Sequence, residues 1–289
     1  MKVLKNISLA KYTTFRTGGK AQYFIRPNTI KEFEEAIDYV NSNEGTVYIL
    51  GGGSNVLISD RDLKGYVILT DRLKKIKIYH NYIMAETGVS VSRLCRYFCR
   101  HGLTGLEFAY GLPGTIGGAV FMNARCYGGE ISDIIEQVQI REKGKTSLLE
   151  KNKLGFEYKK SIFQNTSTYI LKIFFKTEKS NRFSIYRKMN ENRKKRNIKG
   201  EYLFPSAGCI FKNDYSIGIP SGRIIEECGL KGLTVGGAKV YDRHANFIVN
   251  FNKATSHDIY QLIRIIEDTV YKQKKIKLQR EVQIIGEFE

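Results

Sequence analysis

A β-prone run at residues 46–50 (TVYIL) leads straight into Gly51-Gly52-Gly53-Ser54-Asn55, and a second glycine-dense run follows at residues 111–120 (GLPGTIGGAV). Neither glycine run suits a core element. Residues without a Cβ let backbone N–H groups converge at close range on an anion, which suits a phosphate. In the second run Pro113-Gly114 fixes a turn, and Gly117-Gly118-Ala119 removes bulk where another backbone or a flat ligand must approach. Neither run is the GxGxxG fingerprint or a Walker loop, so the nucleotide folds marked by those motifs are unsupported. Taken alone, GGGSN reads better as an ordinary tight turn. Two such segments in one domain point to a diphosphate bridged between loops.

The surrounding pattern is mixed. Phe33, Ala36, Ile37 and Val40 recur at helical spacing, and residues 90–101 form a second amphipathic segment. Short strands are expected at 66–69, 76–79, 82–85, 138–142 and 169–176, separated by turn residues that argue against regular βαβ repeats. The fold class is therefore α+β. A polar, basic stretch at 179–200 marks a shift in composition and is taken as the domain boundary. Beyond it, a helix at 221–228 precedes a longer one after Ser256, where Ile259, Leu262, Ile263, Ile266 and Val270 make a stripe read as core.

At 289 residues the chain has room for about two domains, and 42% hydrophobic with 26% charged residues is a globular composition. No apolar run is long enough to span a bilayer, and the first residues lack the apolar stretch of a signal peptide, so a soluble, cytoplasmic protein without membrane insertion is expected. The formal charge of +18 raises nucleic acid as a partner. The densest cluster, at 187–199, lacks interleaved aromatics and reads as a solvated face; no nucleic-acid partner is expected. Cys95, Cys99, Cys126, Cys209 and Cys228 are odd in number and scattered, which fits free thiols in a reducing compartment. Cys95, Cys99 and His101 lack a second ligand pair at zinc spacing, and no metal site is expected.

Taken in order, TFRTGG at 14–19, GGGSN at 51–55, GLPGTIGGAVFMNA at 111–124, YKKSIF at 158–163, PSAGCIFKN at 205–213, SGRIIEECGLKG at 221–232, HANFIVN at 244–250 and LQREVQIIG at 278–286 resemble the UDP-N-acetylenolpyruvoylglucosamine reductase family in its compact second type. The resemblance covers nearly the whole chain. It implies an FAD-binding domain of the vanillyl-alcohol-oxidase (PCMH) type over 1–180, made of two α+β subdomains dividing near residue 70. A smaller α+β substrate-binding domain would occupy 181–289, its terminal strand returning to the active site. It further implies noncovalent FAD, NADPH as reductant, UDP-N-acetylglucosamine enolpyruvate as substrate and a monomer.

The same resemblance assigns residues. Arg16 sits in the N-terminal flavin-contact motif. Gly51, Gly52, Gly53, Ser54 and Asn55 in the first loop, and Gly111, Pro113, Gly114, Thr115, Gly117, Gly118 and Ala119 in the second, would hold the FAD diphosphate. Cys209 stands where the family has a serine proton donor, and its thiol, with a reference pKa of about 8.5, remains a competent acid. Glu281 matches the carboxylate that stabilises the enolate, with Arg280 in place of the usual proline. Lys159 matches an arginine, keeping the charge but losing the planar fork; Lys160 is the alternative. Lys212 and Asn213 match ligands of the uridine diphosphate, with Asp214 replacing a proline. His244 and Asn246 read as structural hydrogen-bonding residues. Two rivals are an oxidase built on the same flavin fold and a basic nucleic-acid-binding protein.

Overall fold

The structure is a computed structural model and describes residues 1–288. After β1 (Val3–Ser8) and β2 (Lys20–Ile25), α1 (Ile30–Ser42) starts where the Thr29 side chain accepts the Glu32 N–H, and it buries Phe33, Ala36, Ile37 and Val40. β3 (Val47–Leu50) enters the first glycine loop; β4 (Val56–Ile58), β5 (Leu63–Leu69), β6 (Ile76–Ile78) and β7 (Tyr82–Glu86) follow. Ser90 caps α2 (Val91–Arg100), which buries Val91, Leu94, Cys95 and Phe98. Next come β8 (Leu103–Thr104), α3 (Ile116–Phe121), β9 (Arg125–Cys126) and β10 (Gly129–Glu130). The strands β11 (Ile135–Glu142), β12 (Lys145–Glu150), β13 (Thr168–Lys176) and β14 (Glu178–Lys179) precede α4 (Arg182–Lys199). The remainder holds α5 (Ser221–Glu227), β15 (Thr234–Val235), β16 (Ala238–Val240), β17 (Ile248–Asn250), α6 (Ser256–Lys274) and β18 (Gln283–Ile285).

Packing groups the chain into two compact units. The first takes Met1–Leu4, Phe24–Gly52 and Gly65–Arg196; the second takes Lys5–Tyr23, Gly53–Lys64 and the chain from Asn197 onward. These units are discontinuous, unlike the continuous division at 180/181 that the resemblance implies. The last crossing lies at 196/197, within the basic stretch, because the first three turns of α4 bury Ile185, Met189 and Asn192 and the fourth buries Arg196.

That stretch is thus a helix whose one face is committed, not a solvated linker. The Asn192 amide and one Arg196 nitrogen on that face find partners. Asn192 Nδ2 donates to the Glu107 carbonyl (2.9 Å), and Arg196 Nη2 approaches Cys126 Sγ (3.1 Å) with its guanidinium 5.0 Å from the Tyr127 ring centroid.

In the first unit an antiparallel sheet of order β12-β11-β13-β7-β6 backs α2 and α3, and its core runs from Ile83 through Phe98, Val120 and Val138 to Met189. A separate apolar cluster gathers α1 residues with Ile25, Ile68, Leu73 and Leu171, and β3 runs parallel to β5 with Leu50 opposite Leu69. In the second unit the antiparallel sheet β15-β16-β17 shares one core with α5 and the full α6 stripe. A reciprocal Thr255–Asp258 box starts α6, and Lys275 in the left-handed region (φ 59°) stops it. β18 runs parallel to β4, Ile284 opposite Leu57, so the chain's last strand pairs with the strand that follows GGGSN. That pairing groups residues 53–64 with the C-terminal part.

No helix among the described residues is long and apolar enough to cross a membrane.

Candidate functional site

In the first unit the two glycine loops meet backbone to backbone. A Cβ on Gly52 would sit 2.6 Å from Gly114 Cα, and one on Gly51 would collide with Thr115 Oγ1. Gly114, at φ 111°, completes the turn begun by Pro113, and its carbonyl accepts the Val91 N–H (3.1 Å). Thr115 caps α3 by accepting the Gly118 N–H (3.4 Å). Gly117 presses on Thr87, whose carbonyl takes its N–H (2.8 Å), while Ala119 packs into the core and Gly118 faces outward. Among the described residues the N–H groups of Gly52 and Gly114 have no acceptor in the chain. Two adjoining donors on a surface stripped of side chains fit a diphosphate. The Gly111 N–H is given to Ser92 Oγ (3.1 Å).

Lys159 lies in a tight reversal of the same unit. Glu157 and Lys160 exchange both backbone hydrogen bonds (3.2 Å each), leaving Tyr158 and Lys159 at the tip, with Lys159 at φ 56°. Lys160 is exposed and its ammonium is paired with Glu157 (3.0 Å), whereas Lys159 is half-buried. The reversal is pinned to the end of α3: Gln164 Nε2 donates to the carbonyls of Lys159 (3.1 Å) and Phe121 (3.0 Å), and Ser161 Oγ donates to Phe121 (2.7 Å). Asn123, 1% exposed, donates to the Glu157 carbonyl (3.0 Å) and accepts the Ser132 N–H (3.1 Å). Sequence reasoning gave none of Asn123, Ser161 or Gln164 a role. Their signal was a polar residue embedded in, or directly beside, an apolar run.

In the second unit the segments that carry Cys209 and Glu281 are paired through their backbones. Gly208 turns the chain in (φ 79°), Cys209 bridges to Phe247, and Ile210 accepts the N–H groups of Glu281 (2.7 Å) and Val282 (3.3 Å). Phe211 bridges to Arg280, and the Lys212 N–H reaches the Gln279 carbonyl (2.8 Å). From the other side Asn246 grips Phe211 twice, accepting its N–H at Oδ1 (2.9 Å) and donating Nδ2 to its carbonyl (2.8 Å). Asn55 Nδ2 donates to the Glu281 carbonyl (3.0 Å) and its own carbonyl accepts the Gln283 N–H (2.9 Å). The last residue of GGGSN thus places Glu281, a role its motif did not suggest.

The remaining assigned residues of this unit are also fixed. Gly53 (φ 59°) leaves no room for a Cβ beside the Tyr12 carbonyl, and its own carbonyl accepts from Thr14 N (2.9 Å) and Oγ1 (3.2 Å). The N-terminal motif and the first loop are therefore hydrogen-bonded to each other. Arg16, at φ 59°, is exposed between buried Phe15 and Thr17, and Ser54 is half-buried. Asn213 Oδ1 accepts the Ser221 N–H (2.9 Å) at the start of α5, and the Lys212 carbonyl accepts from Ser221 Oγ.

Asp214 accepts from Ser216 Oγ (2.6 Å) and N (2.9 Å), which holds its carboxyl below the usual range and shapes the turn that a proline would otherwise set. His244 departs from expectation: burial, then the nearby Lys199 charge, push its pKa down, and its Nδ1 has no hydrogen-bond partner among the described residues. It is a packed neutral ring, 4.6 Å from the Phe247 centroid.

Comparison with known proteins bears on both parts. An FAD binding domain family matches residues 21–145, and the UDP-N-acetylenolpyruvoylglucosamine reductase C-terminal domain matches residues 200–285. A UDP-N-acetylenolpyruvoylglucosamine reductase of Borrelia garinii subsp. bavariensis is 47% identical over 281 residues, covering 96% of this chain and 92% of the relative. The Borreliella burgdorferi protein of that name is also 47% identical, over 96% of this chain and 93% of its own length. The crystal structure of the Thermus caldophilus reductase superposes with a TM-score of 0.84 at 32% identity, covering 99% of this chain and all of that one.

Proposed function

The chain belongs to the UDP-N-acetylenolpyruvoylglucosamine reductase family, an FAD-dependent oxidoreductase group, and from that premise we propose that it reduces UDP-N-acetylglucosamine enolpyruvate to UDP-N-acetylmuramate with NADPH, in the cytoplasmic synthesis of peptidoglycan precursors. Bound noncovalently, FAD supplies hydride relay from the nicotinamide to the substrate's methylene carbon. The chain's own residues hold the reactants and manage the proton.

Hydride addition to the methylene carbon leaves an electron pair on the neighbouring carbon, delocalised into the substrate carboxylate, and that carbon then takes a proton. Cys209 is assigned as the donor: its S–H bond breaks as the C–H bond forms, and the thiolate regains a proton from solvent. Glu281 is assigned to the enolate, and Lys159 to the carboxylate as a point charge. Lys212 and Asn213 are assigned to the uridine diphosphate. Gly52 and Gly114, with Arg16, Gly51, Gly53, Ser54, Asn55, Gly111, Pro113, Thr115, Gly117, Gly118 and Ala119, are assigned to FAD. The protein acts as a monomer.

One observation supports the reading: the Glu281 N–H bonds to the carbonyl of Ile210, the residue next to Cys209, so the segments carrying the residues assigned as proton donor and carboxylate, 72 positions apart in sequence, run side by side in one unit. Rapid-mixing absorbance of the bound flavin tests it. NADPH is expected to bleach the flavin and the enolpyruvyl nucleotide to restore it. Bleaching that oxygen reverses but the nucleotide does not would favour the oxidase reading.

A further inference from the structure

We infer that Arg280 is a positioning residue, whose clamp on α6 sets the direction in which Glu281 is presented. The inference rests on the assignment of Glu281 to the reaction.

Glu281 sits in the irregular segment between α6 and β18, where no continuous ladder fixes it. The backbone bonds to Ile210, Lys212 and Asn55 fix its height along the neighbouring chain. Arg280 adds a side-chain anchor on α6 to these backbone bonds. Its Nε and Nη2 donate in parallel to the two carboxylate oxygens of Glu267, at 2.5 and 2.6 Å, and the guanidinium lies 5.4 Å from the Tyr260 ring centroid.

Tyr260 and Glu267 are two turns apart on α6, so one helix face supplies both jaws. The pair is largely shielded, with side chains 27% and 21% exposed, and the two-point geometry fixes orientation as well as distance. Arg280 is in extended pairing with Phe211, and consecutive side chains of an extended segment point to opposite sides. Locking Arg280 toward α6 therefore aims Glu281 the other way. A lysine at 280 would keep the charge without the fork.

The test uses the FAD-loaded protein, with the two half-reactions measured separately and amide hydrogen exchange read at Glu281 and Val282. Arg280→Ala is expected to leave NADPH reduction of the flavin unchanged, to slow reoxidation by the enolpyruvyl nucleotide tenfold or more, and to speed exchange at both amides. Arg280→Lys should fall between it and the parent protein. In a double-mutant cycle, Arg280→Ala added to Glu281→Gln should slow reoxidation no further than Glu281→Gln alone, because Arg280 acts through that carboxylate.

Multiplying effects in the double mutant, or unchanged exchange and unchanged reoxidation in folded Arg280→Ala protein, would overturn the positioning role while leaving Glu281's role standing. Unchanged reoxidation in Glu281→Gln would instead overturn the assignment of Glu281, and this inference with it.

Discussion

Replacing Gly52 by alanine tests whether the two glycine loops form one cradle. Gly52 does not have a positive φ, so an alanine meets no backbone strain there and the effect comes from space alone. The new Cβ would lie 2.6 Å from Gly114 Cα and 3.2 Å from its carbonyl carbon. Carbon pairs prefer roughly 3.5–4.0 Å, so the loops must separate by about 1 Å, and the atoms met are backbone that cannot rotate away. Overpacking of this kind costs about 1–3 kcal/mol.

If the strain opens the cradle, the Gly52 and Gly114 N–H groups no longer adjoin, and FAD binding weakens by about 5- to 150-fold, at roughly 1.4 kcal/mol per factor of ten. Fluorescence titration of apoprotein with FAD reads this directly, and circular dichroism confirms that the variant folds. Gly118→Ala is the companion: its Cβ meets only Thr115 Oγ1, at 3.7 Å, so the protein itself accommodates it. Any loss of FAD affinity there reports direct contact with the cofactor. A folded Gly52→Ala protein with unchanged FAD affinity would refute the cradle.

Cys209→Ala should leave flavin reduction by NADPH intact and slow the nucleotide half-reaction by about 10²–10⁴, the usual share of a positioned acid; equal loss in both halves would contradict the role. Lys159→Arg should hold or raise the rate of that half-reaction at subsaturating nucleotide, since the fork suits a carboxylate better than a point charge; a drop in the rate would count against the assignment. Asn246→Ala leaves a buried N–H and a buried carbonyl of Phe211 without partners and should destabilise the fold by about 2–5 kcal/mol in urea unfolding. His244, buried and uncharged, takes up a proton more readily once unfolded. Its contribution is therefore complete above the unfolded pKa of about 6.5 and falls as pH drops toward the lower folded value. A melting temperature that declines over that range, and declines less in His244→Phe, is the expected result.

Helices with an apolar stripe were legible in the sequence. Phe33 to Val40 in α1, Val91 to Phe98 in α2 and the five-residue stripe of α6 are buried as their spacing implies. α4 was not legible because only Ile185 and Met189 are apolar along its buried line; the line is completed by Asn192 and Arg196, whose partners Glu107 and Cys126 are distant in sequence.

The glycine loops announced themselves by composition, yet which glycine meets which was hidden, since Gly52 and Gly114 are paired only by tertiary packing. The alternation at Val282 and Ile284 showed a strand but not its partner, 227 positions earlier in β4. For the same reason the compact units could not be read as continuous halves. The motif marked Asn55 as part of the first loop, but the bond from its amide to the Glu281 carbonyl joins residues 226 positions apart and could not be read from it.

The most direct measurement of the central claim is the visible spectrum of the purified protein during stepwise titration. A yellow preparation should carry one flavin per chain, lose its long-wavelength absorbance with one equivalent of NADPH under anaerobic conditions, and regain it with one equivalent of UDP-N-acetylglucosamine enolpyruvate. A folded preparation that takes up no flavin, or a reduced flavin that the nucleotide leaves reduced, would contradict it.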